Sequence, residues 1–481
     1  SQVNFGENLL FGPIGGGIYY WIQDVPTYAR GIALNAPGST TGAVSITAAT
    51  PAVVTLTGFA LTENAAIQFN YTTGGSLPTG LSINTTYYVY NLSGTTFNLL
   101  NSAGSVINTT GSASVNAYIS LLVDVPIVQN YFTVSDASRF VIAFGCNDYG
   151  AVTQDPMLIR WSNQEDPYNW TPDATNQAGS IRLSHGSKIV TAIQTRQEIV
   201  VFTDSSVYSL QYLGPPAVWS SQLLGDNISI MSPNAAALAS GVVYWMGIDK
   251  FYAYDGRVQT LNCDIRKFVF SNINNTQYQQ TFCGTNEGFN EVWWFYCSKN
   301  SSTIDRYVIY NYLEKVWYYG TLARTAWLDT GLREFPQAAT YSSNIVNQEY
   351  GLNDNETGIE AALDAYISSS EFDIGDGHNF GFVWRVLPDI TFNDSSNSPA
   401  GTAPTLTMTL YGMQNSGSGV TDTASASVQE GTTYVITEEF TGQIYTRVRG
   451  RQMIFKVSSN QINTAWQLGA PRIDIKPDGR R

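Results

Sequence analysis

The stretch IVVFTDSSVYSLQY, residues 199–212, is an apolar run, a polar turn at Thr203 to Ser206 and a second run that ends on an aromatic side chain. Val and Ile in short runs, broken by Asp and Ser, read as two strands of an antiparallel hairpin. The same grammar returns as VVYW (242–245) with FYAY (251–254), and as VWWF (292–295) with YVIY (307–310). Fainter copies start at Phe140 and near Ala338, so the successive starts 140, 199, 242, 292 and 338 lie 59, 43, 50 and 46 residues apart.

A period near 45 residues with four short strands per unit is the spacing of β-propeller blades. One more copy stands at the front, LLF (9–11), a Gly-rich turn through Gly17, then IYYW (18–21). It precedes Phe140 by 131 residues, and excising residues 38–122 shortens that interval to 46. The excised segment differs in composition too, because Glu63 is its sole charged residue. Alternation in AVVTLT (52–57) and YYVY (87–90) makes it a small β-sandwich or barrel carried on a loop, where insertions are tolerated. Beyond residue 355 the blade grammar stops. GIEAALDAYISSSEFDIGDG (358–377) is expected to open with a short helical turn, followed by strands over 383–392, 405–411, 434–439, 445–457 and 464–468. The expected fold is therefore all-β: a propeller over 1–37 and 123–355, an inserted β-domain over 38–122, and a carboxy-terminal β-domain over 356–481.

Composition narrows the class. Of 481 residues 43% are hydrophobic and 13% aromatic, enough for a sizeable core, whereas 13% are charged against roughly 25% in ordinary soluble proteins. Surfaces are thus expected to consist of Ser, Thr, Asn, Gln and Gly. No run of 18 apolar residues and no basic leader is visible, so neither a membrane span nor a signal peptide is expected. The chain opens on Ser1 and not Met, so an amino-terminal piece is expected to precede it. A net charge of −14 argues against general nucleic-acid binding, though not against DNA passing along a repulsive wall. Cys146, Cys263, Cys283 and Cys297 show no CxxC spacing and are expected to be free thiols, with no disulfide framework and no zinc site.

Groups suited to catalysis are sparse. His185 and His378 stand in unrelated contexts, and SHG (184–186) reads as a turn. Glu438 and Glu439 are adjacent on a strand and point to opposite faces, which disqualifies them as an acid pair. Asp373 and Asp376 in DIGDGH can converge on one turn, either shaping it or offering oxygen ligands to calcium. GPIGGGIYYW (12–21) lacks the Lys of a phosphate loop and leads into a strand. No catalytic residue, metal site or cofactor is expected.

Charge distribution points elsewhere. Residues 441–481 hold Arg447, Arg449, Arg451, Arg472, Arg480, Arg481, Lys456 and Lys476 against only Asp474 and Asp478. Arg447, Arg449 and Arg451 alternate, so on one strand they share a face. Three readings stay open for these six arginines: a solvated edge that resists aggregation, a contact with an acidic partner such as a neighbouring copy, or a DNA-phosphate contact.

SRFVIAFGCNDYG (138–150), PMLIRWSNQEDPYNWTPDATNQAGSIRLSHGSKIV (156–190), EIVVFTDSSVYSLQY (198–212), YISSSEFDIGDGHNF (366–380) and RVRGRQMIFKVSSNQINTAWQLGAPRIDIKPDGRR (447–481) resemble the tail hub or nozzle proteins of short-tailed bacteriophages, a group that includes packaged-DNA stabilisation proteins. LPTGLSINTTYYVYNLSGTTFNL (77–99) resembles a small β-module scattered through phage tail and virion proteins. The resemblance implies a structural virion protein that is not an enzyme. Six copies would form a ring below the portal and adaptor, with a channel for the ejected double-stranded DNA and a platform for tail fibres or spikes, assembled in the host cytoplasm. Two other functions compete. One is a receptor- or carbohydrate-binding propeller, motivated by the many Tyr and Trp; the other is a polysaccharide-degrading tail enzyme, motivated by the DIGDGH turn.

Overall fold

The computed structural model describes residues 1–481 except 22, 24–30, 35–40, 57–60, 62–65, 84, 102–103, 122–123, 175, 332, 374–376, 393–394, 396–402, 416–431, 438–441 and 481. The chain is all-β, and among the described residues its one α-helix is Arg266–Ser271. It divides into two compact units, Ser1–Asp329 and Thr330–Arg481.

The first unit contains five four-stranded antiparallel sheets, each laid down in sequence order. The first sheet is Gln2–Phe5, Asn8–Phe11, Tyr19–Trp21 and Ile32–Ala33; the second is Tyr131–Val134, Val141–Phe144, Leu158–Trp161 and Gly179–Arg182. The third is Ile189–Gln194, Ile199–Thr203, Ser206–Gly214 and Val218–Asp226. The fourth is Ala236–Ala239, Val242–Met246, Phe251–Tyr254 and Val258–Thr260, and the fifth is Phe282–Asn286, Glu291–Tyr296, Arg306–Asn311 and Val316–Thr321. Each copy of the repeated grammar supplies the second and third strands of a sheet. First strands of consecutive sheets touch one another along the series.

Why those second strands are continuously apolar follows from their neighbours. Ile199–Thr203 is buried at every position, although successive side chains point to opposite faces. Val200 and Phe202 belong to one core with Trp245, Phe251 and Trp294 of the fourth and fifth sheets. Ile199 and Val201 belong to another with Ile142, Phe144 and Ile159 of the second sheet. Val141–Phe144 divides likewise: Ile142 and Phe144 face the third sheet, while Val141 and Ala143 join Leu10, Ile18 and Phe132 of the first and second. The second to fifth sheets therefore stack face to face with their second strands buried on both sides, and a strand with two buried faces has no polar alternation to show. Fourth strands such as Val258–Thr260 are largely exposed.

In chain order, between the first and second sheets, comes a closed six-stranded barrel built from Thr41–Ile46, Val54–Leu56, Ala66–Ser76, Thr86–Ser93, Thr96–Leu100 and Val115–Leu121. Its core holds Ile46, Val54, Ile67, Phe69, Val89, Phe97, Leu99 and Ile119. Neutral hydrogen bonds satisfy its buried polar groups: Asn98 Nδ2 donates to the Ala52 carbonyl at 2.8 Å and Thr109 Oγ1 to that of Thr47 at 2.6 Å. Ser120 pairs with Thr41, so the ends of the module lie side by side. Leu34 and Val125, which flank it, are buried in one core with the first sheet.

The second unit is a two-layer sandwich. One layer orders Ala365–Ser368, Gln452–Ser459, Thr405–Met413 and Thr432–Thr437, with Phe372–Asp373 also paired to Gln452–Ser459; the other orders Ile444–Gly450, Gly381–Leu387 and Arg472–Pro477. Val383, Val386, Leu406, Met408, Leu410, Val448, Met453, Phe455 and Val457 fill the space between. Asn353 and Asn463 exchange two hydrogen bonds, Nδ2 to Oδ1 at 2.5 Å and backbone N–H to Oδ1 at 2.6 Å, which fix the preceding hairpins to the sandwich. Ala338 lies in this unit, on Gln337–Ala339, a three-residue strand paired with Ile345–Asn347. No helical turn opens at Gly358; its φ of 78° turns the chain so that Ala361–Ala362 pairs with Asn353–Asp354. The strand expected over 445–457 is two strands in two layers, with Arg451 at the corner.

Candidate interaction surface

Arg447, Arg449, Arg472 and Lys476 of the carboxy-terminal segment lie on the outer face of the three-stranded sheet, whereas Lys456 lies on the other layer. Along Ile444–Gly450 burial alternates strictly: Ile444, Thr446, Val448 and Gly450 point inward, and Tyr445, Arg447 and Arg449 outward. Register sets Phe382 beside Arg449 and Lys476, Arg385 beside Tyr445 and Asp474, and Leu387 beside Arg472. An irregularity between Val383 and Arg385 inserts Trp384 into the face. Cations and aromatic rings then interleave. Arg385 and Lys476 lie over the Trp384 ring at 4.8 and 5.2 Å, and Arg449 and Arg451 over Phe380 at 4.2 and 4.9 Å. Each such contact contributes roughly 0.5–1 kcal/mol at an exposed site and fixes the cation's position.

Of the six arginines singled out from sequence, Arg447 and Arg449 share the expected face. Arg451 does not continue it, because the strand ends at Gly450, yet it rejoins Arg449 at the Phe380 ring and donates from Nη2 to the Arg480 carbonyl at 3.1 Å. Arg472 sits on the opposite edge strand, and Arg481 lies outside the described residues. Two ion pairs partly neutralise the patch, Arg385 with Asp474 and Arg449 with Asp478. Arg447, Arg472 and Lys476 have no ion-pair partner among the described residues. Tyr445, 64% exposed, adds an aromatic ring to the same surface. Sequence reading missed Phe382, Trp384, Arg385 and Phe380, whose separation along the chain hides the register.

Other ionisable groups serve the fold. Arg160 is buried and reaches Asp124 Oδ2 at 2.7 Å and the carbonyls of Asp124 and Asn147 at 2.8 and 3.1 Å. Burial pushes the Asp124 carboxyl up against the pull of Arg160. Glu198 accepts hydrogen bonds from Ser209, from Tyr254 at 2.5 Å and from Gln211 at 3.1 Å; burial raises its carboxyl, and the three donors together hold it below the usual range. Tyr254 belongs to the fourth sheet, so Glu198 links it to the third. His185 lies in a turn, its backbone N–H donating to the Tyr208 hydroxyl at 2.7 Å. All four cysteines are free, and burial drives their thiols up, that of Cys146 to about 12 and those of Cys263 and Cys297 to about 11. Cys283 shifts the same way. That is opposite to the shift a nucleophilic thiol needs. Among the described residues no cluster of three metal-ligating side chains occurs, and Asp376, Glu438 and Glu439 fall outside them.

The first unit also carries a cavity of about 420 Å³, lined by Ile14, Asn130, Ile189, Ile230, Met231, Ile248, Tyr278 and the neighbouring Lys188 and Asp204. Asp204 is engaged by the backbone N–H of Ser187 at 2.8 Å and by the Ser187 hydroxyl.

Comparison with known proteins adds little. No family model and no curated protein matches the chain. Among solved structures, Hsv2 of Kluyvelomyces marxianus is 8% identical with a TM-score of 0.29, covering 62% of this chain and 78% of that one. A functionally unknown protein from Desulfotomaculum acetoxidans is also 8% identical with a TM-score of 0.29, over 69% and 90% of the two chains. The extracellular domain of the hybrid two-component system BT4673 from B. thetaiotaomicron is 9% identical with a TM-score of 0.26, over 98% and 77%. No helix among the described residues is long and apolar enough to cross a membrane.

Proposed function

We propose that this chain is a structural protein of a short-tailed bacteriophage virion, a tail nozzle or hub whose stacked sheets are propeller blades. Six copies form a ring below the portal and adaptor, enclose the channel through which double-stranded DNA leaves, and give tail fibres or spikes a platform. The observation that carries the reading is the cationic, aromatic-interleaved face of the second unit on a chain of net charge −14. Such a face suits docking to an acidic protein surface, while the acidic remainder lets phosphates pass without adhesion. The sequence segments that resemble tail nozzles support it, and the role contains no catalytic step. Immunogold labelling of phage particles that carry this chain is the test: label is expected at the tail end, and label confined to the capsid or to fibre tips contradicts it.

A second reading, a carbohydrate-recognition propeller, is favoured by the cavity of the first unit, where Tyr278 stands with Asn130, Asn275 and Gln279. Glycan-array binding that disappears in Tyr278→Ala is the result that reading requires.

A further inference from the structure

The second unit carries the chemical complement of its own cationic face. Residues 341–384 contain eight acidic residues and no Lys or Arg. Within this span, the segment from Asn355 through Glu371 is exposed at nearly every position, including all of the edge strand Ala365–Ser368. Glu360, Asp364 and Glu371 have no cation at ion-pair distance among the described residues. Large apolar side chains stand open beside them: Ile359 is 76% exposed and Tyr366 58%, with Leu363 and Ile367 close behind. Acidic residues along an edge strand are enough to discourage aggregation, but that duty does not require Ile359, Leu363, Tyr366 and Ile367 to face water. Exposed apolar side chains rimmed by charge mark a protein contact.

We infer that this acidic, apolar arm docks on the cationic, aromatic face of a second copy of the chain. Charge complementarity names the occupant: one surface offers Glu360, Asp364 and Glu371, the other Arg447, Arg472 and Lys476. Ring chemistry agrees, because Lys456 already lies over the Tyr366 ring at 4.7 Å within one copy, and the facing surface stacks its own cations on Trp384 and Phe380. The arm strand belongs to one layer of the sandwich and the cationic face to the other. Each copy therefore presents two different surfaces, and the contact is head-to-tail, the type that closes into a ring when its rotation allows. The contact deepens the nozzle proposal and rests on it for the number of copies.

Sedimentation velocity on the full chain tests it with two charge-reversed variants, Arg447→Glu/Arg472→Glu and Glu360→Lys/Asp364→Lys. Each alone is expected to raise the concentration needed for association on the order of tenfold to a hundredfold, with an unchanged thermal midpoint. Mixing them is expected to restore assembly, since the reversed arm of one matches the reversed face of the other. The wild-type assembly should weaken as salt rises. Wild-type-like association of either variant, failure of the mixture, or a wild-type chain that stays monomeric at low salt would each overturn the contact; so would a face variant that altered only DNA binding. A chain that assembles through this contact yet is missing from tails refutes the nozzle reading and leaves the contact standing.

Discussion

Glu198 shows how single residues join one sheet to the next. Its carboxylate gathers hydroxyls from Ser209 on its own sheet and Tyr254 on the fourth, at a position solvent still reaches. Because the donors hold the folded carboxyl below its unfolded range, the group stabilises the protein at pH above the ordinary carboxylate range. That contribution disappears as pH falls through the depressed folded value. Glu198→Gln is expected to cost about 1 kcal/mol near neutrality, a modest figure because solvent screens the site. Its thermal midpoint should therefore fall less than the wild type's on acidification. Parallel loss in both proteins would remove Glu198 from this role. Nothing in EIVVF singled this residue out, since its partners Ser209 and Tyr254 lie 11 and 56 residues away.

Elements differ in how plainly the sequence declares them. Second strands are legible because both faces are buried, which leaves short unbroken apolar runs such as VIAF and IVVF. Fourth strands such as GSIR and VQT carry no such signal, because they have one covered face at most. The corner at Gly450 was hidden for a different reason: alternation runs on through Arg447, Arg449 and Arg451 while the backbone changes layer. A Cβ at Gly450 would meet the Gln452 carbonyl oxygen at 2.7 Å, so the bend depends on a missing side chain and not on any polar turn signal. The barrel was visible through composition and period together, and its paired ends make it separable. Replacing residues 41–121 by a short Gly/Ser linker is expected to leave the sheets folded, with near-wild-type near-UV circular dichroism from Trp161, Trp245 and Trp294. Loss of that signal would mean the barrel is part of the sheet fold.

At the scale of the whole molecule, the all-β class was readable from sequence, whereas the composition of the cationic face was not. The face depends on pairings between distant segments, Phe382 with Arg449 and Lys476. The same pairings give one unit an acidic arm and a basic face, and a chain with such polarity is suited to repeat itself around an axis. Under the nozzle proposal the DNA would pass through a ring of copies that each carry a net charge of −14. Electron cryo-microscopy of the purified full-length protein examines this most directly: a six-fold ring with an open central channel is expected, and isolated single copies, or an open filament with no channel, would contradict the nozzle assignment.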